Sequence, residues 1–123
     1  MKNYRVSGLT PFVPAIALDT SLAFYRELGF EELSREPKMV LLSASGFGFW
    51  LQDYYVKEWA ENCMLCLYVE NLSDWWARVT DMRLGASPFG EARVLAEPHE
   101  QSGGSMFQLS DPAGVLWHVR QKI

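Results

Sequence analysis

What most constrains this chain is an order of elements that runs through it twice. Residues 10–17 (TPFVPAIA) read as a strand, which two prolines confine to an edge or an irregular course. In LDTSLAFYRELGF, Asp19 is the expected N-cap, Leu22, Phe24, Tyr25 and Leu28 make the apolar side, and Gly29 is the stop. Phe30–Arg35, Lys38–Ser43 and Phe47–Asp53 read as strands, with a turn at Ser45-Gly46. The second half repeats the order. Met64–Val69 is a strand, and Asn71 caps a helix with Leu72, Trp75, Trp76 and Val79 on its stripe and Gly85 beyond its end. Strands follow at 92–97, Ser105–Ser110 and Val115–Gln121. Between these lie an aromatic loop, 54–62 (YYVKEWAEN), and a polar glycine-rich loop, His99–Gly104. Asp111-Pro112-Ala113-Gly114 is a turn: proline presets φ, and glycine supplies the left-handed residue. A shift of 52 residues superposes Asp19 on Asn71, Phe24 on Trp76 and Arg26 on Arg78. A half of about 60 residues buries too little surface to stand alone. The expectation is one α+β domain of two strand–helix–three-strand modules, the first about 8–60 and the second about 61–123.

Strand side chains alternate between faces. Phe49 and Leu51 oppose Trp50 and Gln52; Leu65, Leu67 and Val69 oppose Met64, Cys66 and Tyr68. Phe107 and Leu109 oppose Met106, Gln108 and Ser110; Val115, Trp117 and Val119 oppose Leu116, His118 and Arg120. Each strand has one apolar face, expected under the helices, and one mixed face. The mixed faces suit a half-apolar cleft with a few hydrogen-bonding groups. The same residues would equally make a second core layer or a subunit interface.

Composition closes off other classes. Half the residues are apolar (49%) and 21% charged, so the chain can bury a core. A net charge of −4 leaves no basic footprint for nucleic acid. No apolar run approaches the roughly 18 residues that span a bilayer. The start, MKNYRVSGLTPF, lacks the apolar stretch of a signal peptide, and two cysteines make no disulfide framework, so a cytoplasmic protein is expected. On a strand, Cys63 and Cys66 point to opposite faces and neither bridge nor chelate together. No nucleophile elbow, P-loop or dinucleotide fingerprint is present.

The segment PAIALDTSLAFYRELGF, with FQLSDPAGVLWHV near the end, resembles the glyoxalase/bleomycin-resistance (vicinal oxygen chelate) superfamily. The likeness is carried by Asp19, Ser21, Phe24, Tyr25, Leu28, Gly29 and Phe30, and by Asp111, Pro112 and Gly114; it runs from about Leu9 to Val119. It implies two βαβββ modules forming a curled mixed sheet around a cleft. In metal-dependent members, four strand positions, usually His and Glu, hold a divalent ion. By position these fall near Thr10, Trp50, Met64 and His118, of which only His118 is a fit donor. A shift of two residues from Trp50 reaches Gln52, a neutral amide. The resemblance therefore implies no metal site and no cofactor, and lies nearest the bleomycin-resistance branch. Those proteins hold an antibiotic in clefts at a dimer interface without turnover. Gln101-Ser102-Gly103-Gly104 stands where that branch carries a stacking ring, a departure that weighs against bleomycin itself.

The expected protein is thus a homodimer that sequesters an aromatic or partly apolar small molecule, antibiotics included. Its ligand-binding residues would be Trp50, Gln52, Tyr54, Trp59, Tyr68, Met106, Gln108 and His118, with none catalytic and none on a metal. The alternative is a metal-dependent lyase, isomerase or dioxygenase that recruits its ion through His118 and atypical partners. A third reading is a structural role with a filled cleft.

Overall fold

The computed structural model describes residues 1–86 and 88–122. The elements are β1 (Phe12–Pro14), α1 (Leu18–Leu28), β2 (Glu31–Glu36), β3 (Met39–Ala44), β4 (Phe47–Gln52), α2 (Lys57–Asn62), β5 (Met64–Tyr68), α3 (Leu72–Met82), β6 (Arg93–Gln101), β7 (Gly104–Ser110) and β8 (Leu116–Lys122). They build two four-stranded sheets: sheet A in the order β1-β4-β3-β2 and sheet B in the order β5-β8-β7-β6. In each, the first strand runs parallel to the last and the remaining pairs are antiparallel. A strand that must pair parallel needs a crossover, and α1 and α3 supply it.

Burial follows the alternation. Phe49, Leu51, Val40 and Leu42 of sheet A and Phe107, Leu109, Trp117 and Val119 of sheet B enter one core with Leu22, Phe24, Tyr25 and Leu28 of α1 and Leu72, Val79 and Met82 of α3. Phe49 and Trp117 meet across it with ring centroids 5.5 Å apart. Each sheet thus turns one face to the shared core and the other away.

Gly29 ends α1 in the left-handed region, with φ of 117°. A Cβ there would come within 2.3 Å of the Arg78 guanidinium, which reaches from α3 to donate to the Leu28 carbonyl at 3.0 Å. The glycine therefore serves both the cap and the helix–helix contact.

Four local expectations change. Ala17, not Asp19, is the N-cap of α1 and makes no side-chain cap; Asp19 lies inside the first turn, where its charge meets the positive helix end. Asn71 does cap α3, accepting from the Asp74 N–H at 3.1 Å. The two 11-residue helices correspond at a shift of 54, not 52; three residues join β1 to α1 and three join β5 to α3, so the strand ends share that shift. The aromatic loop at 54–62 contains α2, a helix too short to leave a periodic signal. The polar loop shrinks to Ser102-Gly103, since β6 continues to Gln101 and β7 begins at Gly104.

Candidate functional site

The two signature segments of the sequence meet in the core. In the Asp111 turn, Oδ1 accepts from the Ala113 N–H (2.8 Å) and the Val115 N–H (2.9 Å), and Gly114 takes a positive φ. Oδ2 accepts from the Tyr25 hydroxyl at 2.6 Å, and that hydroxyl accepts from the Trp117 Nε1–H at 2.8 Å. Burial pushes the Asp111 carboxyl up to about 6, against the lowering effect of Tyr25 and the backbone N–H groups. Burial, then the Asp111 charge, pushes the Tyr25 phenol well above its ordinary value. All three side chains are sealed from solvent, so this network fixes the turn and holds the halves together.

The candidate site lies on the faces turned away from the core. On sheet A, Trp50 stands between Phe12 and Leu41, and Gln52 between Pro14 and Met39. On sheet B, His118 stands between Cys66 and Gln108, and Arg120 between Tyr68 and Met106. The Gln108 amide and the His118 ring are 3.0 Å apart, Nε2 to Nδ1. With the amide so placed, its N–H donates to Nδ1 and the ring proton sits on Nε2. Met106 is only 5% exposed, although it belongs to the open face. Arg120, its cross-strand partner, donates to the Ser102 carbonyl. Tyr68 is exposed, with the Lys122 ammonium 4.7 Å above its ring. The Cys66 thiol beside it pushes its hydroxyl up. Cys63 takes the other side, half-buried, where burial and the Asp111 charge raise its thiol.

The structure therefore brings Tyr68, Met106, Gln108 and His118 onto one surface and Trp50 and Gln52 onto another. Tyr54 and Trp59 lie outside the strands; they pack on each other at 6.2 Å beyond the end of β4, where the Tyr54 N–H returns to the Gln52 carbonyl. Sequence reasoning left Arg120 out of the site, although its place in the alternation with His118 was readable. It also missed two hollows beside β5. A groove of about 330 Å³ runs between Phe47–Phe49 and Met64–Leu67, and a hollow of about 650 Å³ lies between the β3–β4 turn, β5 and the start of α3.

Register also tests the fit to a metal. The partner of His118 on the first strand is Cys66, and in sheet A the partner of Trp50 is Phe12. Opposite Gln52 stands Pro14, and Thr10 lies in the exposed leading segment outside any strand. Among the described residues, no three His, Cys, Asp or Glu side chains converge. This donor set does not fit the metal centre of the chelating relatives.

No protein-family profile matches the chain. A bleomycin resistance protein of Klebsiella pneumoniae is 25% identical over 116 residues, covering 91% of this chain and 90% of that protein. The crystal structure of a bleomycin resistance determinant encoded on transposon Tn5 superposes with a TM-score of 0.80 at 24% identity, over 95% of this chain and 98% of the other. A bleomycin-binding protein from bleomycin-producing Streptomyces verticillus, complexed with copper(II)-bleomycin, superposes with a TM-score of 0.80 at 17% identity, over 98% and 100%.

Proposed function

We propose, from the premise that this chain belongs by its fold to the glyoxalase/bleomycin-resistance superfamily, that it is a small-molecule-binding protein that sequesters an aromatic or partly apolar ligand without turnover. The observation that carries the reading is what fills the outward faces: rings, a thioether, and an amide paired to an imidazole, in place of a chelating set. Buried apolar area would supply the affinity, at about 25 cal/mol per Å² before the costs of association. Gln108 and His118 would orient the ligand. The bleomycin-binding relatives make an antibiotic a natural first candidate.

The reading includes a homodimer. The two outward faces belong to different sheets with the core between them, so one chain offers two half-walls. A second copy laid with its sheet A over this sheet B would bring Trp50 and Gln52 opposite Gln108 and His118. The exposure of the leading segment, with Tyr4, Val6 and Leu9 all more than four-fifths exposed, favours cover by another copy. A cytoplasmic setting is part of the same reading; no helix among the described residues is long and apolar enough to cross a membrane.

The test is a thermal-shift screen of aromatic natural products, bleomycin included, followed by tryptophan-fluorescence titration of the hits, with and without EDTA. A ligand at 100 times its Kd should stabilise the protein by about 2.7 kcal/mol. Hits that ignore EDTA and weaken on Trp50→Ala or His118→Ala support the reading. A screen with no hits, or hits that need a divalent ion, overturns it. Sedimentation at micromolar concentration should give the mass of two chains; a monomer that still binds would overturn the shared cleft.

A further inference from the structure

We propose that the ligand on the open face of sheet B carries an acidic group, such as a carboxylate, sulfonate or phosphate, beside its apolar body. This rests on the small-molecule-binding reading above and adds the ligand's charge to it. The ladders put Arg93, His99, His118, Arg120 and Lys122 on this face, against Ser110, Met106, Gln108 and Tyr68. Both histidines of the protein are in that set. The chain as a whole is acidic, with 15 Asp and Glu against 11 Lys and Arg, yet the paired positions of this face carry no carboxylate.

Two carboxylates come near it. Glu97 lies in the irregular stretch of β6, where its carbonyl meets the His99 ring at 2.8 Å. Glu70, past the end of β5, lines a hollow with Tyr68 and Lys122. Neither forms a salt bridge: among the described residues the ion pairs join Glu32 to Arg26 and to Arg35, at the far side of sheet A. Among the described residues, no carboxylate forms an ion pair with the cations of sheet B.

The donors are also aimed for an anion. Arg120 has five N–H donors in a planar fork, and Ser102 engages the group through one nitrogen, so others remain for an oxyanion. The Gln108 contact leaves the His118 proton on Nε2, a further donor two residues along β8. Tyr68, exposed beside Arg120 on the ladder, supplies apolar surface for the rest of the ligand. The facing wall in the proposed dimer would not cancel this charge near Trp50: the carboxylates of that face, Glu31 and Glu36, stand on β2, two strands away from β4. A cationic ligand would meet repulsion at Arg120 and find no carboxylate at the paired positions of the face to replace its lost hydration.

The test uses one ring in three charge states: 2-naphthoate, 2-naphthamide and 2-naphthylmethylammonium, titrated into the full chain at low salt with tryptophan fluorescence and calorimetry. The anion should bind about ten times tighter than the amide and the ammonium weakest. Added salt should narrow the gap, and Arg120→Gln should nearly abolish it. Lys122→Gln, at an exposed strand end, should reduce it by a smaller factor and guards against an Arg120 variant that fails to fold. Equal binding of all three, or preference for the ammonium, overturns the proposal and leaves the binding reading standing. If none binds, the hits of the wider screen decide: acidic hits that weaken on Arg120→Gln uphold the proposal, neutral or cationic hits overturn it alone, and no hits overturn both.

Discussion

In sheet A, Gln52 lies between Pro14 and Met39; in sheet B, His118 lies between Cys66 and Gln108. Two positions earlier, Trp50 lies between Phe12 and Leu41, while Leu116 lies between Met64 and Ser110. The same ladder therefore presents a ring and aliphatic chains on one sheet and an imidazole–amide pair beside a guanidinium on the other. Inside the core the contrast reverses. At matched helix positions, α1 carries Ser21 and Tyr25 where α3 carries Trp75 and Val79. The first module's helix sends Tyr25 inward to the Asp111 turn of the second, while the second module's helix turns only apolar Val79 inward at the matched place. One frame has been filled in two ways, and the inward filling keys the halves to each other while the outward filling stays on the open faces.

The inward key is where the comparison breaks hardest. Asp111→Ala leaves the Tyr25 hydroxyl and the Ala113 and Val115 N–H groups without their acceptor in a dry core. A loss on the order of 3 kcal/mol is expected in urea unfolding, after the relief of burying a charge is counted. A loss under about 1 kcal/mol would mean that the turn holds without its carboxylate.

The same carboxyl gives a pH signature of fixed sign. Its pKa is raised to about 6 in the fold, against an ordinary 3.8. Between those values the folded chain keeps a proton that the unfolded chain has released. Its contribution to stability is therefore full below about pH 4 and lost as pH rises through 6. The swing is roughly 3 kcal/mol. It should appear as the difference between the wild type and Asp111→Asn, whose amide does not titrate. Parallel curves for the two would remove Asp111 from the account.

The outward contrast is open to a direct transplant. Gln52→His with Met39→Gln copies the imidazole–amide pair of sheet B onto sheet A at half-buried positions on the open face. A cost under about 1 kcal/mol is expected, since no core volume changes. A larger loss would show that the frames differ more than their ladders do.

These contrasts are unevenly legible in the sequence. The two-residue period of the strands is enough to separate inward from outward side chains, because a one-residue slip would expose Phe49 or Trp117. Gly29 and the Asp111 turn are readable because each is tied to a backbone conformation that few residues adopt. The two-residue difference between the helices is not readable, since Asp19 has the chemistry of a cap and only tertiary packing starts α1 earlier. Nor is the separation of Trp50 from His118. Alternation says which face a residue takes, but not whether two strands share a sheet, and that depends on pairings far apart in the chain.

The smallest expected effect returns to α1. The Ser21 hydroxyl is buried without a hydrogen-bond partner among the described residues. Its counterpart in α3 is Trp75, which carries the Arg78 guanidinium 5.1 Å from its ring, so this place in the module needs no hydroxyl for the fold. Ser21→Ala removes an unpaired polar atom and puts the best helix former in its place, for a gain of about 1 kcal/mol. Thermal unfolding should show this as a rise of a few degrees in Tm. A fall instead would mean that the hydroxyl bonds back onto the preceding turn of its own helix, and that the first module's inward polarity reaches further than the Tyr25–Asp111 contact.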